Sequence, residues 1–368
     1  MANSKDKKSL KEKASSKLKN SFDLDSFKKK KGVVSSTKFK ELKWINFSEA
    51  LQDATKVPGI PMGHISLVRG HSDTGKSTTL AEIATEAQKQ KILPVFLITE
   101  MKFGWEYFTR QGFELEHVYD DDGNIIDHKG FFIYADRSTL KSIEDMASFI
   151  YDLLEEQEKG NLPFDLLFLI DSIGATPCLK SIENKKNNPM WNAAAYSQQF
   201  GNFINQKIVL SRKEDYPYTN SLLAVNKVWV EPAASVMAQP KMKNKGGDTM
   251  FYDCSMCVTF GNISNSGTSV INAVKDGMTV EYAKRTKIKV DKNHITGLST
   301  KGIVLMTNHG FIKNTPVSIK NYKDAHKDEW MKKLGGSEYG KSDFELVEDR
   351  GNEWDENFEK IPTKSDTD

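Results

Sequence analysis

The sequence contains few cysteines, no long apolar run and almost no net charge. Three cysteines in 368 residues do not form the disulfide framework of a secreted protein. Cys254 and Cys257 have CxxC spacing, but no second ligand pair accompanies them, so we interpret both as core residues of a strand. The longest apolar runs, such as 166–170, are far too short to span a bilayer. No signal-peptide pattern opens the sequence, so we expect an intracellular, cytoplasmic protein without membrane contact.

The small net charge of +2 hides two ends of opposite charge. Residues 1–45 contain 14 lysines and five acidic residues, whereas the region beyond residue 337 is mainly acidic. We predict a basic arm at 1–50, in which apolar residues at every fourth position indicate a helix that packs on the core or on a neighbouring subunit. We also predict a short, acidic, partly disordered tail at 316–368. Such ends bind polyanions or each other, or they are simply solvated.

A glycine-containing loop stands between an apolar run at 64–68 and a helical pattern. Its residues match the spacing G-x-x-x-x-G-K-[ST], and they are Gly70, His71, Ser72, Asp73, Thr74, Gly75, Lys76 and Ser77, with Thr78 next in the helix. The order of strand, glycine loop and helix is that of a P-loop. The alternative is a glycine-containing surface turn before a helix.

The spacing of this loop has a chemical reason. Gly70 and Gly75 let successive backbone N–H groups point inward at a phosphate, and the helix adds its positive N-terminus. Lys76 would reach the β- and γ-phosphates, and Ser77 would place a hydroxyl on Mg²⁺. The spacing therefore predicts a nucleoside triphosphate with Mg²⁺ bound at residues 70–78; the resemblance described below makes the nucleotide ATP.

Two further apolar runs end in carboxylates. The run 94–98 leads to Glu100, and the run 166–170 leads directly to Asp171. Ligands of parallel α/β sheets lie outside the carboxyl ends of the strands, where both acids are expected. Asp171 fits the Walker B position, which holds Mg²⁺ opposite Ser77. The alternative for Glu100 is an ordinary acid at the end of a strand.

An irregular, lysine-containing stretch occupies 231–248. Its mixture of cations and glycines is typical of a segment that grips a phosphate backbone, and we predict DNA contacts from Lys241, Met242, Lys243, Lys245, Gly246 and Gly247. The alternative is a flexible surface loop. Strands and helices alternate early and strands follow one another late. This order predicts an α/β core at 51–315 with a mostly parallel sheet, flanking helices and additional antiparallel strands.

The same features resemble the RecA-like ATPases, and most closely the phage RecA/UvsX-like recombinases. The resemblance covers roughly residues 55–310. It rests on the loop 70–77, Glu100, the strand end 169–172, the strand 224–226, and Gly246-Gly247 shortly before Phe251-Tyr252. The Gly-Gly pair before Phe-Tyr, together with Glu100, is the more specific part of the pattern.

The resemblance implies roles for particular residues. Glu100 would polarise the attacking water, and Tyr107 would stack on adenine. Lys292 and His294 would reach the nucleotide of an adjacent subunit. Residues 174–191 and 229–248 would contain two DNA loops.

The resemblance also implies an ATP-dependent recombinase. Such a protein forms helical filaments on single-stranded DNA, pairs it with homologous duplex DNA, and works with single-strand-binding or mediator proteins; a phage origin and action in the host cytoplasm would follow. A hexameric replicative helicase and a recombination mediator with slow turnover are the alternatives. Three departures bear on the choice: Lys227 at a position where bacterial RecA has a γ-phosphate-sensing glutamine, an insertion near 120–130, and a short acidic region after Thr315.

Overall fold

The computed structural model describes residues 23–32, 38–100, 103–231, 241–245, 247–263, 269–275 and 278–329. The chain divides into two compact units, residues 1–40 with 213–215 and the remainder. In the smaller unit, helix α1 (Leu24–Lys30) begins after Asp23, whose side chain accepts hydrogen bonds from the backbone N–H groups of Asp25 and Ser26. An antiparallel bridge joins Phe39 to Lys213 within the same unit.

The larger unit contains the strands and the other helices. Its strands are β1 (Trp44–Asn46), β2 (Gly59–Pro61), β3 (Ile65–Gly70), β4 (Leu93–Ile98), β5 (Glu116–Tyr119), β6 (Ile125–Lys129), β7 (Ile133–Ala135), β8 (Leu166–Asp171), β9 (Ser221–Glu231), β10 (Lys241–Asn244), β11 (Met256–Gly261), β12 (Val270–Lys275), β13 (Met278–Asn293), β14 (Lys301–Thr307) and β15 (Gly310–Lys313). Its α-helices are α2 (Glu49–Thr55), α3 (Lys76–Lys89), α4 (Trp105–Arg110), α5 (Ile143–Glu158), α6 (Leu179–Glu183), α7 (Pro189–Tyr196), α8 (Asn205–Leu210), α9 (Thr249–Asp253) and α10 (Pro316–Ala325). A π-helix (Ser197–Ile204) joins α7 to α8, and a short 3₁₀ helix (Ile173–Ala175) follows β8. No helix among the described residues is long and apolar enough to cross a membrane.

One large mixed sheet organises this unit. Its strand order is β15-β14-β13-β11-β3-β9-β8-β4-β7, with β10 attached to β9 and β12 attached to β13. The strands from β11 to β7 pair in parallel, and β13, β14 and β15 continue the sheet in antiparallel fashion. The predicted α/β fold with a parallel sheet, flanking helices and additional antiparallel strands is therefore confirmed at this level.

Both faces of the parallel part are covered, which explains the continuous apolar runs of its strands. Every residue of β3, β4 and β8 is buried. Alternate residues of these strands enter two separate clusters, one beneath α3 and the other beneath α5 and the helices of 189–210. Cys254 and Cys257 are buried in the second cluster as free thiols, which confirms both as core residues. Cys257 lies in β11, but Cys254 directly follows helix α9, so the expected strand is wrong for Cys254.

The ordered core reaches beyond the boundaries expected from composition. Strand β1 and helix α2 begin within the stretch 1–50, and helix α10 lies in the stretch predicted as an acidic tail. Thr315 caps α10 by accepting a hydrogen bond from the backbone N–H of Ser318, and Ile319 and Tyr322 are buried against the late strands. Residues 1–22 and 330–368, including most of the predicted arm helix and acidic tail, lie outside the described residues.

A buried glutamate joins helix α3 to the β14–β15 hairpin. Glu82 Oε1 accepts a hydrogen bond of 2.7 Å from the backbone N–H of Phe311, and the whole carboxyl group is buried. Burial raises the pKa of Glu82 from 4.5 to about 7. The folded protein therefore binds this proton more tightly than the unfolded chain does, and stability contributed by the protonated form is lost as the pH rises through 7.

We predict that Glu82→Gln stabilises the protein in alkaline solution. The substitution keeps an acceptor for Phe311 and removes the cost of a buried charge, so the free energy of unfolding should rise by about 3 kcal/mol near pH 8 and hardly change near pH 4. Urea titration at the two pH values measures this difference. Glu86→Gln, one turn along the same helix, is the control and should have no such pH dependence; a gain for Glu82→Gln that is equal at both pH values would contradict the assignment.

Candidate active site

The loop predicted to bind phosphate leaves the centre of the parallel sheet. Strand β3 ends at Gly70, and helix α3 begins at Lys76. Gly75 has a φ of +105°, and a Cβ there would lie 2.7 Å from the Phe311 ring, so glycine is needed for both conformation and space. The Thr74 hydroxyl donates to the carbonyl of His71 (2.8 Å), which closes the loop on itself.

Lys76 and Ser77 occupy the first turn of α3. The Lys76 ammonium is largely buried and donates to the carbonyl oxygen of His71, and burial lowers the pKa of Lys76. The Ser77 hydroxyl lies 3.5 Å from the Asp171 carboxylate at the end of β8. The Lys76 ammonium and the Ser77 hydroxyl therefore lie on the side of the loop that faces Asp171.

Asp171 is the most strongly perturbed acid of the site. Burial, followed by the negative charge of Glu100, raises the pKa of Asp171 from 3.8 to about 6. The raised pKa indicates that the positive charge around Asp171 does not fully offset its burial. A hard divalent cation, which prefers oxygen ligands, would supply that charge between the carboxylate and the Ser77 hydroxyl. Ser77 and Asp171 are thus the residues that fit a Mg²⁺ ion.

The register of the parallel strands brings the site residues to one edge. Ile98 of β4 pairs with Asp171 of β8, and Gly70 of β3 pairs with Lys227 of β9. Beyond β4, the backbone N–H of Glu100 donates to the carbonyl of Asp171 (3.2 Å). Glu100, Asp171, Lys227 and the loop 70–77 therefore lie together outside the carboxyl ends of four strands, where α/β proteins bind ligands.

Glu100 is held by an ion pair that the sequence did not reveal. Lys227 Nζ lies 2.7 Å from Glu100 Oε1, and the Ser172 hydroxyl donates to the same oxygen (3.0 Å). Burial by itself raises the pKa of Glu100, but the hydrogen bonds from Lys227 and Ser172 and the charge of Lys227 outweigh it, so the net shift is downward. The sequence indicates Lys227 only as a departure from the resemblance. Its pairing with Glu100 depends on strand register, which the sequence does not show.

Tyr107 lies beside the first turn of α3. Helix α4 begins after Gly104, and the Tyr107 hydroxyl shares a hydrogen bond of 2.5 Å with the Thr78 hydroxyl. Burial raises the pKa of Tyr107, so the phenol stays neutral. The expected adenine-stacking residue is therefore adjacent to the expected phosphate loop.

Lys292 and His294 lie elsewhere. Lys292 pairs with Cys257 of β11, which pairs with Leu67 of β3, three residues before Gly70. The Lys292 ammonium donates to the carbonyl oxygens of Phe251 and Tyr252, and the His294 N–H donates to the carbonyl of Ser255. Neither side chain joins the loop 70–77 of its own chain, and their expected role toward an adjacent subunit stays a prediction.

The predicted DNA segment is joined to the site through the backbone. Strands β9 and β10 pair as an antiparallel ribbon, in which Lys243 lies opposite Trp229, 6.0 Å from the centre of its ring. Past the ribbon, the Lys245 N–H donates to the carbonyl of Lys227 (2.9 Å). Residues 232–240 and Gly246 lie outside the described residues.

The two expected DNA loops meet at Gly174. A Cβ at this glycine would lie 2.7 Å from Lys245 Cβ and 2.8 Å from its carbonyl oxygen. Glycine therefore permits direct contact between the first expected loop, 174–191, and the second, 229–248. Both loops also lie close to Lys227, which the sequence pattern alone did not indicate.

Arg69, immediately before the glycine loop, forms a buried polar network that sequence reasoning missed. Its guanidinium donates to Thr259 Oγ1 (2.9 Å), Asn244 Oδ1 (3.3 Å) and Asp291 Oδ2 (3.0 Å). Asn244 in turn donates to Asp248 Oδ1. The network fastens the base of the β9–β10 ribbon to the strand that enters the loop 70–77.

Comparison with known proteins yields one partial likeness. A stretch of 72 residues is 36% identical to Protein RecA from Aquifex aeolicus, and it covers 20% of this chain and 21% of that protein. The chain thus matches about a fifth of the length of this relative. No family model matches the chain. The mixed α/β fold is compatible with a RecA-like core, and the partial likeness points to a RecA-related protein at most.

Proposed function

We propose that the protein is a DNA-dependent ATPase of the recombinase type. The observation that carries the proposal is the position of Lys227. Its side chain pairs with Glu100 at the candidate nucleotide site, while its backbone carbonyl accepts a hydrogen bond from Lys245 in the predicted DNA segment. Lys227 therefore contacts both the candidate nucleotide site and the predicted DNA segment, which is the link that an ATP-driven DNA-binding cycle would need.

ATP and Mg²⁺ fit the residues that line the sheet edge. Backbone N–H groups of 70–78 would bind the phosphates, with Lys76 moving from the His71 carbonyl to the β- and γ-phosphates. Ser77 and Asp171 would hold Mg²⁺, which supplies positive charge to the phosphates when bound. Tyr107 would stack on the adenine ring, and Glu100 would orient the attacking water and accept its proton.

Lys227 would act as the γ-phosphate sensor. In the observed state its ammonium neutralises Glu100, and a bound γ-phosphate offers a second anion at the same place. Redistribution of the ammonium toward phosphate would free Glu100 for catalysis and shift the strand end that holds Lys245. In nucleotide switches the γ-phosphate orders a segment that is released on hydrolysis. Here a lysine would sense the phosphate in place of the glutamine of bacterial RecA.

The DNA side of the proposal uses the two loops at Gly174 and Lys245. Lys241, Met242, Lys243, Lys245, Gly246 and Gly247 would contact single-stranded DNA and then homologous duplex DNA during strand exchange. Lys292 and His294 would complete the nucleotide site of the next subunit in a helical filament. A single-strand-binding or mediator protein would load the filament, and the reaction would take place in the cytoplasm of a phage-infected host.

Two other functions use the same core. A hexameric replicative helicase would place the nucleotide site between the subunits of a ring. A mediator or paralogue would bind ATP and DNA with little turnover, and the Lys227–Glu100 ion pair gives a physical reason for slow hydrolysis.

We predict that Glu100→Gln separates ATP binding from hydrolysis. Glutamine keeps the shape and can still accept a hydrogen bond from Lys227, but it cannot take a proton, so kcat should fall about 100-fold or more while nucleotide affinity is retained. ATP turnover with and without single-stranded DNA, and binding of a fluorescent ATP analogue, measure the two effects. The exposed Glu106→Gln on α4 is the control. Retained turnover in Glu100→Gln would remove the residue from its role, and absence of turnover in the unmodified protein would favour the mediator.

We predict a salt-dependent affinity for single-stranded DNA that depends on the loop lysines. If about four phosphates are neutralised per protomer, the logarithm of affinity should fall against the logarithm of salt concentration with a slope of about −3. Lys243→Ala and Lys245→Ala should each reduce the magnitude of this slope by about 0.7. Lys159→Ala, beyond helix α5 and before the amino end of β8, is the control. Slopes unchanged in both loop variants would assign the DNA contacts to another surface.

We predict long helical filaments when the protein, single-stranded DNA and a slowly hydrolysed ATP analogue are combined. The expected ATP site between subunits makes assembly depend on nucleotide, so filaments should disappear when the analogue is omitted. Electron microscopy distinguishes the three functions directly. Closed six-membered rings would support the helicase, and isolated particles would support the mediator.

A further inference from the structure

Three metal-ligating side chains converge outside the candidate active site. His309 lies in the turn between β14 and β15, while His326 and Glu329 follow helix α10. One ligand atom from each residue lies within 4.8 Å of the other two, and all three residues are half-buried. Among the residues that the structure describes, no other three histidine, cysteine or acidic residues lie this close together.

We propose that His309, His326 and Glu329 bind a zinc ion. Two imidazoles and one carboxylate are a ligand set typical of zinc with three protein ligands and one position for water. Mg²⁺ and Ca²⁺ prefer oxygen ligands alone, so this site differs in chemistry from the cation site expected at Ser77 and Asp171. The proposal does not depend on the proposed function.

The geometry already approaches that of a zinc site. The distance from His309 Nε2 to Glu329 Oε2 is 3.3 Å. Two ligands at roughly 2.0–2.1 Å from a tetrahedral ion are separated by about that distance. The ring of His326 stacks on that of His309 with centroids 3.8 Å apart, so rotation of the His326 side chain is the movement needed to point its nitrogen at the ion.

Neighbouring polar groups support the same ligand atoms. The Tyr322 hydroxyl lies 3.1 Å from His309 Nδ1, which leaves Nε2 as the nitrogen that faces Glu329. The Asn308 amide lies 3.5 Å from Glu329 Oε1. Metal-binding histidines and carboxylates are commonly oriented by such hydrogen bonds.

A second histidine pair in the fold has a different arrangement, which serves as a comparison. His117 and His128 lie on opposite strands of the β5–β6 hairpin with their Nδ1 atoms 3.0 Å apart, so each satisfies the other. At His309 the two ring nitrogens instead face the Tyr322 hydroxyl (3.1 Å) and the Glu329 carboxylate (3.3 Å), and the second histidine lies over the ring. The first pair therefore provides a control with two histidines but without a third ligand.

The position of the site defines its effect on the fold. An ion would join the end of α10 to the β14–β15 turn, and Phe311 of the same hairpin contacts Gly75 and hydrogen-bonds to Glu82 of α3. The ion would therefore link α10 to the hairpin that lines the glycine loop, and its fourth position would be left to water.

Cobalt substitution tests the proposal in the full-length protein. After treatment with chelator, the protein is titrated with Co²⁺ and separately with Zn²⁺ in excess Mg²⁺. We expect one equivalent of Co²⁺ with the visible absorption of a tetrahedral site and without a thiolate charge-transfer band. Glu329→Gln and His326→Gln should each weaken binding at least about tenfold, and His128→Gln should leave it unchanged.

Thermal unfolding provides a second measurement that does not depend on cobalt spectra. Zn²⁺ should raise the midpoint of unfolding of the unmodified protein and of His128→Gln, because it binds the folded state. At the same Zn²⁺ concentration it should raise the midpoint of Glu329→Gln by clearly less, and a circular dichroism spectrum of this variant checks that it is folded. Absence of stoichiometric binding, a thiolate band from Cys254 and Cys257, or equal loss in His128→Gln would overturn the proposal.

Discussion

Four charged side chains share a partly buried space at the carboxyl ends of the central strands, and their mutual neutralisation is the constraint on which the candidate site depends. Lys76 and Lys227 face Glu100 and Asp171. Burial lowers the pKa of Lys76 and raises the pKa of Asp171, so each charge is tolerated because the others are present. Removal of one charge would leave an uncompensated partner in the same low-dielectric region.

This balance limits what the chain can bind alone. Two lysines and two carboxylates are formally neutral, whereas a magnesium nucleotide brings net negative charge. The N–H groups of the glycine loop and the N-terminus of α3 provide part of the compensation. In the proposed filament, a cation from an adjacent subunit would add further positive charge. The electrostatics of the site and the proposed assembly are therefore linked.

The sequence predicted the features that depend on local pattern and missed those that depend on register. The apolar runs at β3, β4 and β8 and the glycine loop were visible because burial on both faces leaves a continuous signal. Arg69 and Glu82 were not visible, because their partners Asp291 and Phe311 are more than two hundred residues away in sequence. Only the paired strands bring them together.

Helix α10 shows a different reason for a missed element. The region after Thr315 was assigned to an acidic tail from its average composition, yet Thr315 followed by Pro316 is an ordinary helix start. Ile319 and Tyr322 are enough apolar surface to anchor one short helix when strands β12 to β15 offer a matching face. An average over fifty residues conceals such a local signal, so composition set the boundary too early.

In the proposed function, one strand connects the candidate nucleotide site to the predicted DNA segment. Strand β9 is central in the sheet, pairs with β3 and β8 on its two sides, and carries Lys227 near the point where the sheet ends. Its side chain contacts Glu100 and its carbonyl holds Lys245, which lies against Gly174. Residues 221–226 of this strand are buried, and 222–225 are paired on both sides, so a new anion at Lys227 would act on the segment that follows rather than on the core. Under this proposal the β9–β10 ribbon would transmit the coupling between the two sites, and Arg69 holds the ribbon at Asn244.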